Sequence, residues 1–424
     1  MHHLTRFSKK LFSIIIFLFF IWLMFFCTFM LGKYPQEWIL WLLERLNLYL
    51  ATIIPHGMLY DFISIGVVNG VGNVLSFLPN ILILFFFMYM FEESRYLTHV
   101  AALLDNLMHK IGLHGNSAVP LLMGFGCNVP AILATKTIPD TKRRILTMLL
   151  IPFMSCSARL PILVLLVGTF FPQHPILIIF GLYGLTIIMA ILTAFFLDRV
   201  FFKTEVDLTP VDVLPLQKPK LKRVLQFTWD AGYEYLKKIG TVVLIAMMVI
   251  WFLSHFPRSV VSSAEVPPQS QYLSSAEVPP QSQYLSSAEV PPQSQYTENT
   301  YLARFGHFIE PALRPLGFDW KMSVCLTTGL AAKEFIVGTM AILYNTGEEE
   351  TQVGTHLKNA QVFTTPAVLS FLVFAMLYMP CIATIFIIKK ESGTWKWALF
   401  SVGYSIALAW GVAFIVFRLT LLIL

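Results

Sequence analysis

Apolar runs long enough to cross a lipid bilayer recur along almost the whole chain, at 11–31, 65–90, 145–171, 176–197, 239–255, 366–388 and 395–417. A helix needs about 20 predominantly apolar residues to cross roughly 30 Å of hydrocarbon. Within that layer the backbone is satisfied only where it is helical or enclosed by protein. Composition agrees, with 56% of the 424 residues hydrophobic and 13% charged, against about 25% charged in ordinary soluble domains. That balance excludes a soluble enzyme, a nucleic-acid-binding module, a disordered chain and a disulfide scaffold. The sequence predicts an all-α, polytopic membrane protein with seven full spans. The run at 11–31 follows a basic flank (Arg6, Lys9, Lys10) and precedes no small-residue cleavage site, so it is read as a retained span. Cysteines 27, 127, 156, 325 and 381 are scattered and form no CxxC pair, so disulfides are not expected.

Two further apolar stretches, 116–138 and 322–344, are interrupted by Gly, Pro or charge. Paired interrupted segments in the two halves of a chain point to a transport site built from discontinuous helices. Basic residues fix the orientation. Lys136, Lys142, Arg143 and Arg144 follow the first broken segment, the 198–238 loop is rich in Lys, and Lys389, Lys390 and Lys396 fill a late loop. All fall on one side, with a cytoplasmic N-terminus, when the two segments re-enter from opposite faces in an inverted arrangement. The expected organisation is an N-terminal span and interfacial helix at 1–60, and a first gate-containing half at 61–200. A basic cytoplasmic loop at 201–238 and a second gate-containing half at 239–424 complete it. Residues 36–50 and 301–318 read as interfacial helices. The outer loop at 256–304 repeats SSAEVPPQSQYL at 262–273 and 274–285, with a shortened copy at 286–296. Its Pro, Ser and Gln content makes it a flexible linker with no role in transport.

Chemistry concentrates at the breaks. In GFGCNVPA, Gly124 and Gly126 let the chain turn, Pro130 and the earlier Pro120 are expected to break the helix ladder and free carbonyls, and Cys127 and Asn128 sit at the break. A thiolate suits late first-row metals and an amide oxygen adds a weaker ligand; a tightly packed helix crossing with a small buried Cys is the plain alternative. FMSCSARLP repeats the theme, with Met154, Ser155 and Cys156 between Pro152 and Pro161. Arg159 either marks a functional site or pairs with an acidic residue or free carbonyls. In GLAAKEF, Lys333 and Glu334 are adjacent and so cannot pair with each other along a helix. Glu334 supplies a carboxylate for a cation path or an internal ion pair, for instance with Arg159. Cys381 follows Pro380 in YMPCIAT, next to a carbonyl that the proline frees at Met376, or in a merely kinked packing helix. The cysteines lack the close ligand spacing of a structural zinc site. Weak, multiple stops suit a permeating ion. Histidines 99, 109 and 114 are read as solvated, and no G-x-x-x-x-G-K-[ST] phosphate loop occurs.

The stretches GLHGNSAVPLLMGFGCNVPAILATKTI, PFMSCSARLPILVLLVGTFFP, FGHFIEPALRPLGFDWKMSVCLTTGLAAKEFIVGTMAILY and MPCIATIFIIKKESGTWKWALF occur in one order. Together they resemble the membrane half of FeoB-type ferrous iron transporters, from about residue 60 to the C-terminus. The resemblance implies import of ferrous iron across the bacterial cytoplasmic membrane, with the ion as cargo and no permanently bound cofactor. It implies that Cys127, Cys156, Cys381 and Glu334 meet the metal; the chemistry of the motifs adds Asn128 as a ligand and Met154, Ser155, Arg159 and Lys333 as supporting or gating residues. It also implies a non-enzymatic permease in the lipid bilayer that forms a homo-oligomer, with small accessory iron-transport proteins and no nucleic acid. Family members carry an N-terminal GTPase domain, whereas this sequence starts at what would be the first permease span, so the reading is either a permease served by a separately encoded GTPase or a divergent, unregulated one. In SRYLTHVA the family usually shows Gly at the position of Arg95 and an Arg near His99. Two other readings stay open: a secondary transporter of an organic solute such as a nucleoside, and a non-transporting membrane partner of a G protein.

Overall fold

The computed structural model describes residues 2–54, 60, 62–69, 72, 75–76, 78–202, 215–238, 244–256, 300–330, 333, 335–344, 363–378 and 380–423. No strand occurs among them. Helix α1 (His2–Ile53) is continuous and carries Pro35 in its interior, so residues 36–50 extend it instead of forming a separate interfacial helix. A π-helical stretch (Phe62–Asn69) precedes α2 (Leu78–Glu93) and α3 (Tyr96–Lys110). Next come the short α4 (Ala118–Gly124) and α5 (Asn128–Ala134), then α6 (Thr141–Leu150), α7 (Leu160–Phe170) and α8 (Pro175–Leu197). The second half holds α9 (Leu221–Lys238), α10 (Leu244–His255), α11 (Tyr301–Leu313), α12 (Trp320–Thr328) and α13 (Phe335–Leu343). It closes with α14 (Thr365–Leu377), α15 (Ile382–Ser392) and α16 (Trp395–Ile423).

Four helical runs among the described residues are long and apolar enough to cross a membrane: Thr141–Phe170, Pro175–Phe201, Thr365–Ser392 and Trp395–Leu422. The first and third are interrupted midway and lie 61% and 71% buried, while the other two lie 22% and 17% buried. The interrupted runs therefore form the inside of the bundle and the continuous ones its apolar outer face. The three other expected spans fall on α1, on the π-helical stretch with α2, and on α10, each partly outside the residues whose side chains are described. The 256–304 repeat loop likewise lies outside the described residues but for its two ends.

Side-chain caps start several of these helices. Asp140 accepts the N–H groups of Lys142 and Arg143, Asp319 that of Met322, and Thr364 that of Ala367, each supplying an acceptor that a helix start lacks. Helices α4 and α5 pack on each other as one hairpin, and α12 and α13 as another. The second hairpin is clasped at its open end, where the Tyr344 hydroxyl donates to the Asp319 carboxylate at 2.9 Å. Phe363, just before α14, packs on Tyr344 and on Phe170 at the end of α7. At the opposite end, Glu391 of α15 receives Lys136 at 3.0 Å and Arg144 at 2.6 Å, while Arg143 meets Asp198 beyond α8 at 2.7 Å. The run α6–α7 thus starts at the basic end and α14–α15 finishes there. The two hairpins open on opposite ends, as the inverted arrangement requires.

The positive φ of 57° at Arg95, between α2 and α3, is the one non-glycine case among the described residues. A left-handed residue costs a side chain roughly 1–2 kcal/mol and costs glycine little.

The Glu391 side chain is 5% exposed, whereas that of Lys136 is 57% exposed. Removing the carboxylate strands Arg144; removing the lysine loses one partly solvated pair. Glu391→Ala should cost about 3 kcal/mol and Lys136→Ala under about 1 kcal/mol, read as the relative drop in thermal unfolding temperature of the detergent-solubilised chain.

Candidate functional site

The first hairpin breaks at Phe125–Cys127. A Cβ on Gly124 would lie 2.8 Å from the Met154 Cβ, so the missing side chain lets the hairpin press against the α6–α7 break. Cys127 is extended (φ −153°, ψ 132°) and precedes α5. Pro120 and Pro130 occupy the third positions of α4 and α5, inside a first turn, where a missing N–H costs nothing. Pro130 follows the extended Cys127 and begins α5 without interrupting a helix, contrary to the expectation from sequence, whereas the α4 that holds Pro120 follows directly on the 3₁₀ turn Gly115–Ser117. What opens the chain is the Gly124–Gly126 segment. Asn128 is 4% exposed, and its Oδ1 meets no hydrogen-bond donor among the described residues. A buried acceptor left alone costs about 1–3 kcal/mol, so this oxygen calls for a ligand.

The α6–α7 run breaks over Ile151–Arg159. Two 3₁₀ turns, Ile151–Phe153 and Ser157–Arg159, flank an extended piece in which Met154 and Cys156 have ψ of 119° and 160°. The Gly126 carbonyl receives both the N–H and the hydroxyl of Ser157, at 3.3 and 3.1 Å. This bond brings the chain at Cys156 against the chain at Cys127. Ser155 donates to the Met376 sulfur at 3.3 Å, tying this break to α14. Arg159 is 2% exposed and donates from Nη2 to the Pro152 carbonyl at 3.2 Å. Its Nε and Nη1 meet no partner among the described residues.

In the second hairpin the break follows Gly329, where a Cβ would lie 2.5 Å from Ile336 Cγ1 and 2.6 Å from the Tyr378 oxygen. The Leu330 carbonyl receives the Ile382 N–H at 3.1 Å, joining this hairpin to the α14–α15 break. Lys333 is 4% exposed, with its ammonium 4.8 Å from the Tyr378 ring centre. Glu334 lies outside the described residues. Cys381 precedes α15 in extended conformation (φ −62°, ψ 157°), with its sulfur 3.1 Å from Thr384 Oγ1. Cys325 is buried within α12, and Cys27 is half-buried in α1.

The halves are built alike. In each, a carbonyl at the tip of a hairpin receives the N–H of the residue after a cysteine in a broken span: Gly126 with Ser157, Leu330 with Ile382. The sequence carries the matching signal, Met-x-Cys-x-Ala, at 154–158 and 379–383. Reading the re-entrant segments alone missed it. The sequence reading expected two broken segments; among the described residues four elements are broken, because each hairpin is paired with a broken span. Cys127 and Cys381 begin α5 and α15, which pack together and run the same way, as the Lys136–Glu391 pair at their far ends shows. Cys127, Cys156 and Cys381 thus each stand directly before a helical turn. Among the described residues no three His, Cys, Asp or Glu side chains gather closely enough to hold a metal ion.

The Gate family profile, described as nucleoside recognition, matches residues 74–170 and 236–395, and the profile of the ferrous iron transport protein B C terminus matches 179–230. The chain is 40% identical to an Fe(2+) transport protein A/Fe(2+) transporter FeoB fusion protein of Porphyromonas gingivalis, over 96% of this chain and 50% of that one. It is 37% identical to the Fe(2+) transporter FeoB of Campylobacter jejuni (96% and 63%) and 36% identical to that of Methanocaldococcus jannaschii (94% and 55%). The chain therefore spans between half and two thirds of the length of these relatives. No solved structure gives a significant match.

Gly329 and Gly338 make a controlled pair, since a Cβ at Gly338 meets only open space. Gly329→Ala should cost about 1–3 kcal/mol through overpacking and Gly338→Ala should lose no packing. Equal melting temperatures for the two variants would contradict the close approach at the second break.

Proposed function

From the premise that this chain belongs to the Gate family and is of the FeoB type of ferrous iron transporters, we propose that it carries ferrous iron across a membrane between two opposed hairpin gates. The observation that carries this reading is the buried Asn128 Oδ1, an acceptor with no donor among the described residues, directly after Cys127. An amide oxygen and a thiol side by side offer a cation one hard and one soft ligand. Cys156 and Cys381 extend the series of stops, and Glu334 adds a carboxylate to it. Met154, Ser155, Arg159 and Lys333 shape or gate the path. Stops spread over several elements bind weakly enough to let an ion leave, as conduction needs. Iron is the cargo, and no resident cofactor is part of the reading.

Sidedness follows from charge. Lys136, Lys142, Arg143, Arg144, Lys389, Lys390 and Lys396 mark one end of the molecule, which the positive-inside rule makes cytoplasmic. The N-terminus then lies on that side of the bacterial cytoplasmic membrane, the first hairpin opens inward and the second outward. The four parts at 1–60, 61–200, 201–238 and 239–424 are retained as the organisation of the chain. The fusion partner named in the Porphyromonas relative supports a small accessory protein. A GTPase partner and a homo-oligomer complete the proposal. The organic-solute reading draws only on the description of the Gate profile, while the relatives are named as Fe(2+) transporters.

The test is ferrous iron uptake under reducing conditions in cells lacking their own importer, with membrane insertion verified. The intact chain should restore uptake and Cys127→Ser should lower it by roughly tenfold or more, since even outer-shell partners of a metal are worth about that much. Equal uptake by both would remove Cys127 from the path. Uptake of a nucleoside by the intact chain, unaffected by Cys127→Ser, would replace iron by an organic solute.

A further inference from the structure

A buried positive charge lies at the α6–α7 break without an acidic partner among the described residues. Arg159 is 2% exposed, and of its three nitrogens only Nη2 has a hydrogen-bond partner there, the Pro152 carbonyl at 3.2 Å. A guanidinium does not give up its proton in a protein, so burial cannot neutralise it, and a buried charge is costly unless it is paired. Water would satisfy Nε and Nη1 and still leave the charge unbalanced. Tyr183 of α8 brings its hydroxyl to the Ser155 hydroxyl, within electrostatic reach of Cys156 and Arg159. Its ring stacks on Phe125, at the turn of the first hairpin, with centroids 6.4 Å apart. The same junction holds the complementary orphan. Asn128, two residues past Gly126, has an acceptor without a donor, while Arg159, two residues past Ser157, has donors without an acceptor, and Gly126 and Ser157 are bonded to each other.

We propose that the Arg159 guanidinium holds a monovalent inorganic anion of the chloride class, and that this anion is the counter-charge that lets a ferrous ion stop at Cys156, three residues earlier. The second clause rests on the transport reading above; the anion site does not. One guanidinium balances one negative charge, and a doubly charged phosphate or sulfate would leave half of its charge bare in a buried site. Nε and Nη1 supply free N–H groups, and the Tyr183 hydroxyl stands near them. Without the anion, Arg159 repels a dication at Cys156 strongly, because the surroundings screen little. With it, a junction that offers both donors and an acceptor takes cation and anion together. Each then raises the affinity of the other by the same factor.

The experiment uses the full chain, first in detergent without iron, with equilibrium binding of radiolabelled chloride and gluconate holding the ionic strength. The unaltered chain should bind chloride saturably, Arg159→Gln should abolish that binding, and Tyr183→Phe should weaken it about tenfold, the weight of a hydrogen bond to a charged group. Chloride should also raise the thermal unfolding temperature of the unaltered chain and leave that of Arg159→Gln unmoved. Absence of saturable binding in the unaltered chain overturns the inference, and binding that appears only in Glu334→Gln names that carboxylate as the counter-charge instead. Equal binding by the unaltered chain and Arg159→Gln places the anion elsewhere and overturns it as well. Should Arg159→Gln fail to fold, Arg159→Lys takes its place: it keeps the charge with fewer donors and should bind about tenfold more weakly, and equal binding again overturns the site. In liposomes, with ferrous iron kept reduced by anoxia, replacing chloride with gluconate should raise the half-saturating iron concentration by about tenfold, a coupling of ordinary size. Uptake indifferent to chloride, in a chain that binds it at Arg159, refutes the coupling to iron. A chain that binds chloride and takes up no iron refutes the transport reading and supports the anion site.

Discussion

Backbone hydrogen bonding at membrane depth governs this architecture. Each of the four breaks exposes N–H and C=O groups that lipid cannot satisfy. The molecule answers by pairing the breaks. Gly126 with Ser157 and Leu330 with Ile382 are bonds between a hairpin tip and a broken span, and each lets the other element leave the helical ladder. Neither break is stable without its partner, which is why the broken elements come as two pairs and why the interrupted runs are the buried ones. The glycines follow from the same need. Gly124 and Gly329 are where the hairpins must approach Met154 and Tyr378 too closely for a Cβ.

Charge is arranged around this interior in two ways. At the basic end, Glu391 gathers Lys136 and Arg144, and Arg143 finds Asp198, so that α5, α6, α8 and α15 are tied together where water and headgroups screen the cost. Inside, the Arg159 guanidinium donates to the Pro152 carbonyl and the Lys333 ammonium faces the Tyr378 ring. Asn128 presents an acceptor to the same region. Ligands spread over several elements, with no group of three His, Cys, Asp or Glu gathered among the described residues, suit passage better than storage.

Much of this was legible from residue order, and the places where it was not are instructive. Hydropathy located the interior runs, and basic residues located the end at which they gather. The prolines misled, because a proline within a helix and one at its third position look the same in a one-dimensional pattern; only the positions of the helix starts separate a breaker from an initiator. Residues 36–50 carry an interfacial composition yet continue α1, since a helix once begun extends more easily than a new one nucleates. The Met-x-Cys-x-Ala duplication was present in the letters, but it gains meaning only when the residue after each cysteine is seen to bond a hairpin tip.

The sequence by itself determined that the chain is helical, that it belongs in a bilayer, and which thiols, amide and charges sit at its irregular points, because these depend on apolar length, local breakers and the cost of burying charge. Tertiary structure alone decided that Cys127 and Cys381 begin parallel packed helices, that Cys156 is drawn to the first hairpin, and that Lys333 faces Tyr378. Those facts rest on hydrogen bonds and packing between residues far apart in the chain, which no local periodicity encodes. They exist because the groups freed at one break can be satisfied only by another.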